Sequence, residues 1–106
     1  FDQVLSIDTQ NLNPDSFILG KPYPNPFNPS VEMNLVVDNS GIYHISIHNI
    51  KGELINNWDV IFTQKGNHNI QWNAMNYSGS LLPSGVFFIS VTNQNKSEQR
   101  KVLLLR

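Results

Sequence analysis

Val31-Glu32-Met33-Asn34-Leu35-Val36-Val37 reads as a strand with one buried face. Val31, Met33, Leu35 and Val37 recur at every second position, with Glu32, Asn34 and Val36 between them. A period of two sends the two sets to opposite sides of a pleated strand. The pattern continues outward. Asp38-Asn39-Ser40-Gly41 is a turn, and Tyr43, Ile45 and Ile47 then alternate with His44, Ser46 and His48. Lys51-Gly52 closes a tight hairpin, because glycine takes the positive φ such a turn needs, and residues 53–62 form the return strand. Lys65-Gly66 is the next turn, followed by His68, Ile70 and Trp72 alternating with Asn67, Asn69 and Gln71. Residues 73–85 are a long connection with Gly79, Pro83 and Gly85. Residues 86–92 are dense in β-branched and aromatic side chains, as a central strand would be. Residues 93–97 are a polar turn, and residues 98–105 are the last strand, stopping at Arg106.

In the other direction, residues 17–30 lead into the first long strand. Residues 1–16 read as a linker from an upstream region, rich in the turn and disorder formers Gln10, Asn11, Asn13, Pro14, Asp15 and Ser16, although Val4, Leu5 and Ile7 could add a short strand. Short strands at spacings near ten residues, with no convincing helix, predict an all-β chain: a seven-stranded antiparallel sandwich over residues 17–106. Tyr43, Ile45, Ile47, Ile70, Trp72 and part of Val86 to Val91 should form its core.

Composition narrows the function. The chain has 106 residues, enough for one core but not for a cleft between two domains. Charged residues are only 14 % and net charge is −1, so no basic field attracts nucleic acid or anionic lipid. The apolar runs are too short to span a bilayer as helices. No signal peptide is visible, so an export signal would lie upstream of Phe1. There is no cysteine, which removes disulfides, zinc–cysteine sites and thiol nucleophiles together.

The side chains that most often do chemistry are scattered. His44 and His48 share a strand face but stand about 13 Å apart, too far for one ion. His68 could approach across strands, yet solvent-facing histidines are the simpler expectation, and no metal or other cofactor is expected. Asp2, Asp8 and Asp15 lie in the linker, while Glu32, Asp38, Glu53, Asp59 and Glu98 are spread over turns and strand faces. None has a spacing suited to acid–base work or a calcium loop. Ser78-Gly79 and Ser84-Gly85 read as turns rather than nucleophile elbows. Asn76-Tyr77-Ser78 and Asn95-Lys96-Ser97 match the glycosylation acceptor pattern, which arises easily in an asparagine-rich chain. The chain is not expected to be an enzyme.

One segment is more specific than a crossover needs: Tyr23-Pro24-Asn25-Pro26-Phe27-Asn28-Pro29-Ser30. Its three prolines fix φ and bias the preceding residues toward extended conformations. The two asparagine amides can tie the loop to its own backbone, and Phe27, with Tyr23, can anchor it to the sandwich. A polyproline ligand for an aromatic groove is a weaker reading.

This segment resembles the hallmark that opens the C-terminal sorting domains of type IX secretion cargo, which are related to the immunoglobulin-like domain of the flagellar hook-capping protein. Further blocks follow in order. Val31 to Leu35 resembles the first long strand of that group. Ile45 to Glu53 is similar to its strand and hairpin, with His48-Asn49 where Tyr-Asp is usual. Gly66 to Asn73 resembles its Gly-x-His-x-x-x-Trp-Asp stretch, Ser84 to Phe88 its Ser-Gly-Val-Tyr-Phe, and Lys101 to Arg106 its terminal Lys-x-x-Leu-Leu-Lys/Arg. Asn49 and Asn73 stand in place of common aspartates, and Ala74 where glycine is usual.

The resemblance implies an immunoglobulin-like sandwich that ends a larger exported bacterial protein at Arg106. It implies recognition in the periplasm by the outer-membrane secretion translocon and its cargo-processing components, followed by release or attachment at the cell surface. The residues carried over are Tyr23, Pro24, Asn25, Pro26, Phe27, Asn28, Pro29, Gly52, Gly85, Lys101 and Arg106, none of them catalytic. Lys101 and Arg106 have a plainer alternative as edge-strand charges that discourage aggregation. On this reading the chain is a monomeric module whose other partner is the cargo upstream in the same polypeptide, without nucleic acid and without membrane insertion. Recognition could use strand addition to the last strand or capture of a terminal carboxylate. Two other readings stay open: a glycan- or protein-binding accessory module that uses Trp58, itself more simply read as core, and a structural spacer.

Overall fold

The computed structural model describes residues 17–38, 40–94 and 96–106. The linker over residues 1–16 and the short strand considered for Val4, Leu5 and Ile7 lie outside the described residues, as does Asn95 of the second acceptor pattern.

The alternation over residues 31–37 becomes strand β2 (Val31–Val37), with Val31, Met33, Leu35 and Val37 buried and Asn34 exposed. Six more strands follow the same logic: β1 (Phe17–Leu19), β3 (Gly41–Asn49), β4 (Leu54–Phe62), β5 (Gly66–Trp72), β6 (Gly85–Thr92) and β7 (Ser97–Leu104). No helix forms among the described residues. The strands make a three-stranded sheet in the order β1-β2-β5 and a four-stranded sheet in the order β4-β3-β6-β7. All strand neighbours are antiparallel.

Register sets the core. Met33 lies opposite Ile70 and Val31 opposite Trp72, so one apolar face runs across β2 and β5. Ile45 lies opposite Val91, Ile47 opposite Ile89, and Phe87 opposite Val102 on the other sheet. The two inner faces join in a single buried apolar cluster that includes every core residue expected above, with Phe87, Ile89 and Val91 its members from β6. A buried side chain of this size contributes on the order of 1.5–3 kcal/mol. The cluster therefore carries the fold without disulfides.

Several expected bounds shift by one residue. Gly41, Gly66, Gly85 and Ser97 begin strands rather than ending the turns before them, β4 begins at Leu54 rather than Glu53, and the last strand ends at Leu104 rather than Leu105. Between Ile47 and His48 the β3–β4 register slips, leaving Ile55 as an extra residue on β4. Trp58 is half-buried on β4 and packs against the core, which takes up much of the ring that the binding-module reading relied on.

Candidate functional site

The strongest geometry lies where the proline loop meets β7. The loop leaves β1 beside β2, and Tyr23 and Glu32 exchange two main-chain hydrogen bonds of 2.9 Å. Tyr23 is thus held by its backbone. Its ring is 52 % exposed, which corrects the expectation that it anchors the loop: the inward positions are already filled by Phe17, Leu19 and Phe27. All three X–Pro bonds of the loop are cis.

Phe27 is the anchor. Its ring is buried against Trp72 at 5.8 Å between centroids, and Trp72 meets Phe87 edge-on at 5.4 Å. Its backbone also joins the four-stranded sheet. Phe27 N–H donates to Leu103 O at 2.8 Å, and Leu105 N–H donates to Phe27 O at 3.1 Å.

Asn25 completes the docking. Its carboxamide accepts from Leu103 N–H at 3.0 Å and donates to Lys101 O at 3.1 Å. An asparagine amide offers one donor and one acceptor side by side, as a peptide unit does. The Asn25 side chain therefore pairs with β7 as a strand residue would. This corrects the expectation that it ties the loop to its own backbone; the unpaired edge of β7 offers a matching donor and acceptor. It also closes the β7 edge to strand addition over residues 101–105, because the loop takes Lys101 O, Leu103 N and O, and Leu105 N. Asn28, Pro24, Pro26 and Pro29 are exposed.

Other motif residues gather around this contact or serve separate turns. Lys101 lies opposite Phe88 with its side chain exposed. Arg106 donates from its main chain to Ser84 Oγ at 2.8 Å and from Nε to Leu82 O at 2.7 Å, tying the end of β7 to the 73–84 connection. Gly85 lies opposite Leu104 with a negative φ, and a Cβ there would sit 3.7 Å from the Phe87 ring, an ordinary contact. Gly52 serves the β3–β4 turn at φ +83°, where a side chain would be strained. Ala74 adopts φ 58°, which explains why glycine suits that position.

Sequence reasoning missed a row of charges. Lys96, Glu98 and Arg100 alternate in phase with buried Val102 and Leu104, so they lie on the inward side of β7's line. Lys96 Nζ donates to Phe17 O at 2.7 Å, and Arg100 Nη2 donates to Leu19 O at 2.6 Å. Glu98 pairs with both cations at 3.0 Å. The Lys96 hydrogen bond beside Glu98, reinforced by Arg100, holds its carboxyl below the ordinary 4.5 despite partial burial. The signal was present as charges two residues apart, in register with apolar positions.

The histidines are separated. His44 Nδ1 lies 2.5 Å from Asp59 Oδ1 on the outer face of β3 and β4. His48 lies opposite Phe88. His68 is on the other sheet, stacks on Phe62 at 4.1 Å and donates to Gln64 O at 2.8 Å. Among the described residues, no three His, Asp or Glu side chains gather as a metal site. Asn76 of the first acceptor pattern receives N–H bonds from Ser78 and Ser80, so its side chain organises its own loop.

Two antiparallel sheets of three and four strands, closed along one side by a docked loop and a charged row, define an immunoglobulin-like sandwich. The family model for the FlgD Ig-like domain, a non-catalytic domain, matches residues 28–97, and the chain belongs to that family. Among solved structures it is similar to dimeric latent PorU from Porphyromonas gingivalis, with 16 % identity and a TM-score of 0.71 over 95 % of this chain and 10 % of that one. It is also similar to PorZ of the same organism, described as an essential bacterial surface component of the type-IX secretion system, with 22 % identity and a TM-score of 0.57 over 85 % of this chain and 11 % of that one. FlgD from P. aeruginosa aligns with 13 % identity and a TM-score of 0.56 over 84 % of this chain and 70 % of that one. The chain thus spans about a tenth of PorU and of PorZ. No match was found among curated proteins.

Proposed function

We propose that this chain is a non-catalytic sorting domain of a larger bacterial protein, with residues 17–106 the folded signal and residues 1–16 the linker from upstream cargo. It directs that cargo across the outer membrane by type IX secretion, passing through the periplasm to the cell surface or the medium. Its partners on this reading are the secretion translocon and its processing components.

One observation carries the reading. The two segments that most resemble the sorting family, the Tyr23–Pro29 loop and the strand ending in Lys101–Arg106, are bonded to each other. Core packing alone does not require an asparagine carboxamide paired along a strand edge. Membership of the FlgD Ig-like family and a fold shared with a type IX component, PorZ, support it.

The test is to fuse the domain behind a periplasmic reporter in a type IX host and assay the reporter on intact cells with an impermeant protease. The reporter should become surface-accessible or appear in the medium, and only when the domain is attached. Retention of the folded fusion in the periplasm, equal to reporter alone, would falsify the sorting reading.

A further inference from the structure

The docked loop decides how a partner can read β7. A strand edge is usually recognised through its main chain, by addition of another strand. Here the outward groups from Lys101 O to Leu105 N are already paired with Asn25 and Phe27. The loop offers little replacement edge, because Pro24 and Pro26, which flank Asn25, have no N–H. Along residues 101–105 the sheet therefore ends at the loop. What remains outward are side chains: the Tyr23 ring, Pro24, Pro26 and Lys101.

Resting on the sorting reading above, we propose that Asn25 is a positioning residue that locks the loop onto β7, and that the secretion partner reads the side chains of this composite surface rather than adding a strand to β7. The partner this fits is a protein surface that places an apolar or aromatic patch against Tyr23 and the prolines and a carboxylate near Lys101. The loop takes this form only with β7 in place, because the hydrogen bonds that Asn25 and Phe27 make all go to the main chain of residues 101–105. A chain whose last strand is not zipped into the sheet does not display the signal.

Strand addition and composite reading predict opposite signs for Asn25→Ala. The substitution removes the Leu103 N–H acceptor and the Lys101 O donor. Amide exchange at Leu103 should quicken by on the order of tenfold, as loss of one hydrogen bond of ordinary net strength implies, while amides of β3 and β6 keep their protection. Under the composite reading, export of the full chain fused behind a periplasmic reporter falls severalfold. Under strand addition the freed edge leaves export equal or raised, and that result overturns the proposal. Unchanged Leu103 exchange also overturns it, since Asn25 would then not be holding the loop. If Asn25→Ala fails to fold, Asn25→Leu is read in the same way; it keeps the side-chain volume and lacks both the acceptor for Leu103 N–H and the donor to Lys101 O. Failure of the unsubstituted fusion to leave the periplasm is a distinct result: it removes the sorting reading and the partner with it. Equal export of the unsubstituted and substituted fusions removes only the proposal.

Discussion

Arg100 Nη2 donates to the main-chain carbonyl of Leu19 at 2.6 Å, reaching from the edge strand of one sheet to the edge strand of the other. Lys96 does the same to Phe17 O, and Glu98 sits between the two cations. β1 has only three residues and pairs with β2 alone, so these side chains replace the strand that its outer edge lacks. Hydrogen bonds from a charged donor are worth about 1.5–3 kcal/mol, less where solvent reaches them. Arg100→Ala should therefore destabilise the domain by about 1–2 kcal/mol in urea unfolding. A loss within error of zero would mean the contact holds nothing.

The same row makes stability depend on pH. The carboxyl of Glu98 is held below its ordinary 4.5, chiefly by the Lys96 hydrogen bond. A group whose pKa is depressed by folding adds stability above its unfolded value and loses it as pH falls through the folded value. Between neutral pH and 4.5 the advantage of the native chain over Glu98→Gln should be constant, and it should shrink on further acidification. Thermal melts of both proteins across that range measure it. An advantage that grows with acid would reverse the expected sign and rule out this role for Glu98.

Phe27 and Trp72 should behave as one unit. Both are buried with rings 5.8 Å apart, so Phe27→Ala and Trp72→Ala should each cost about 3–5 kcal/mol. The double substitution should cost less than the sum, because each single change already opens the same contact. Trp72→Phe is milder. Met75 O accepts from Trp72 Nε1 at 3.0 Å and also from Asn56 Nδ2 at 2.9 Å, so it keeps a partner. A cost of about 1 kcal/mol is expected there, and a larger penalty should emerge only when Asn56→Ala is added.

The long strands and the core were legible because their signal is local: a period of two over seven to nine residues fixes which side of each strand is apolar. The docking of Asn25 was not, because its partner Lys101 is 76 positions away and depends on how the finished sheets bring β7 beside the loop. Tyr23 was misplaced for a related reason. Residue type suggested an inward ring, while the main-chain bridge to Glu32 fixes where the ring points. Lys96 reads as part of a polar turn and Glu98 and Arg100 as ordinary polar strand residues, since nothing local marks a cation whose acceptor is a carbonyl on the first strand.

Asn49 offers the sharpest test of a single departure from the sorting-family pattern, in which aspartate is usual. Its Oδ1 accepts from Lys51 N–H at 2.9 Å and Glu53 N–H at 3.0 Å, and its Nδ2 donates to Glu53 Oε1 at 2.7 Å. Aspartate could make the first two bonds, as such residues commonly do in turns. It could not make the third, and it would set one carboxylate against another. Asn49→Asp should therefore destabilise the β3–β4 hairpin by about 1 kcal/mol near neutral pH, with the loss easing as added salt screens the repulsion. Glu53→Gln in the same chain supplies a donor for the new carboxylate and should restore most of the stability. Urea unfolding of the two single variants and the double variant gives the coupling directly. Additive effects would show that the Asn49–Glu53 contact does not govern which residue this turn accepts.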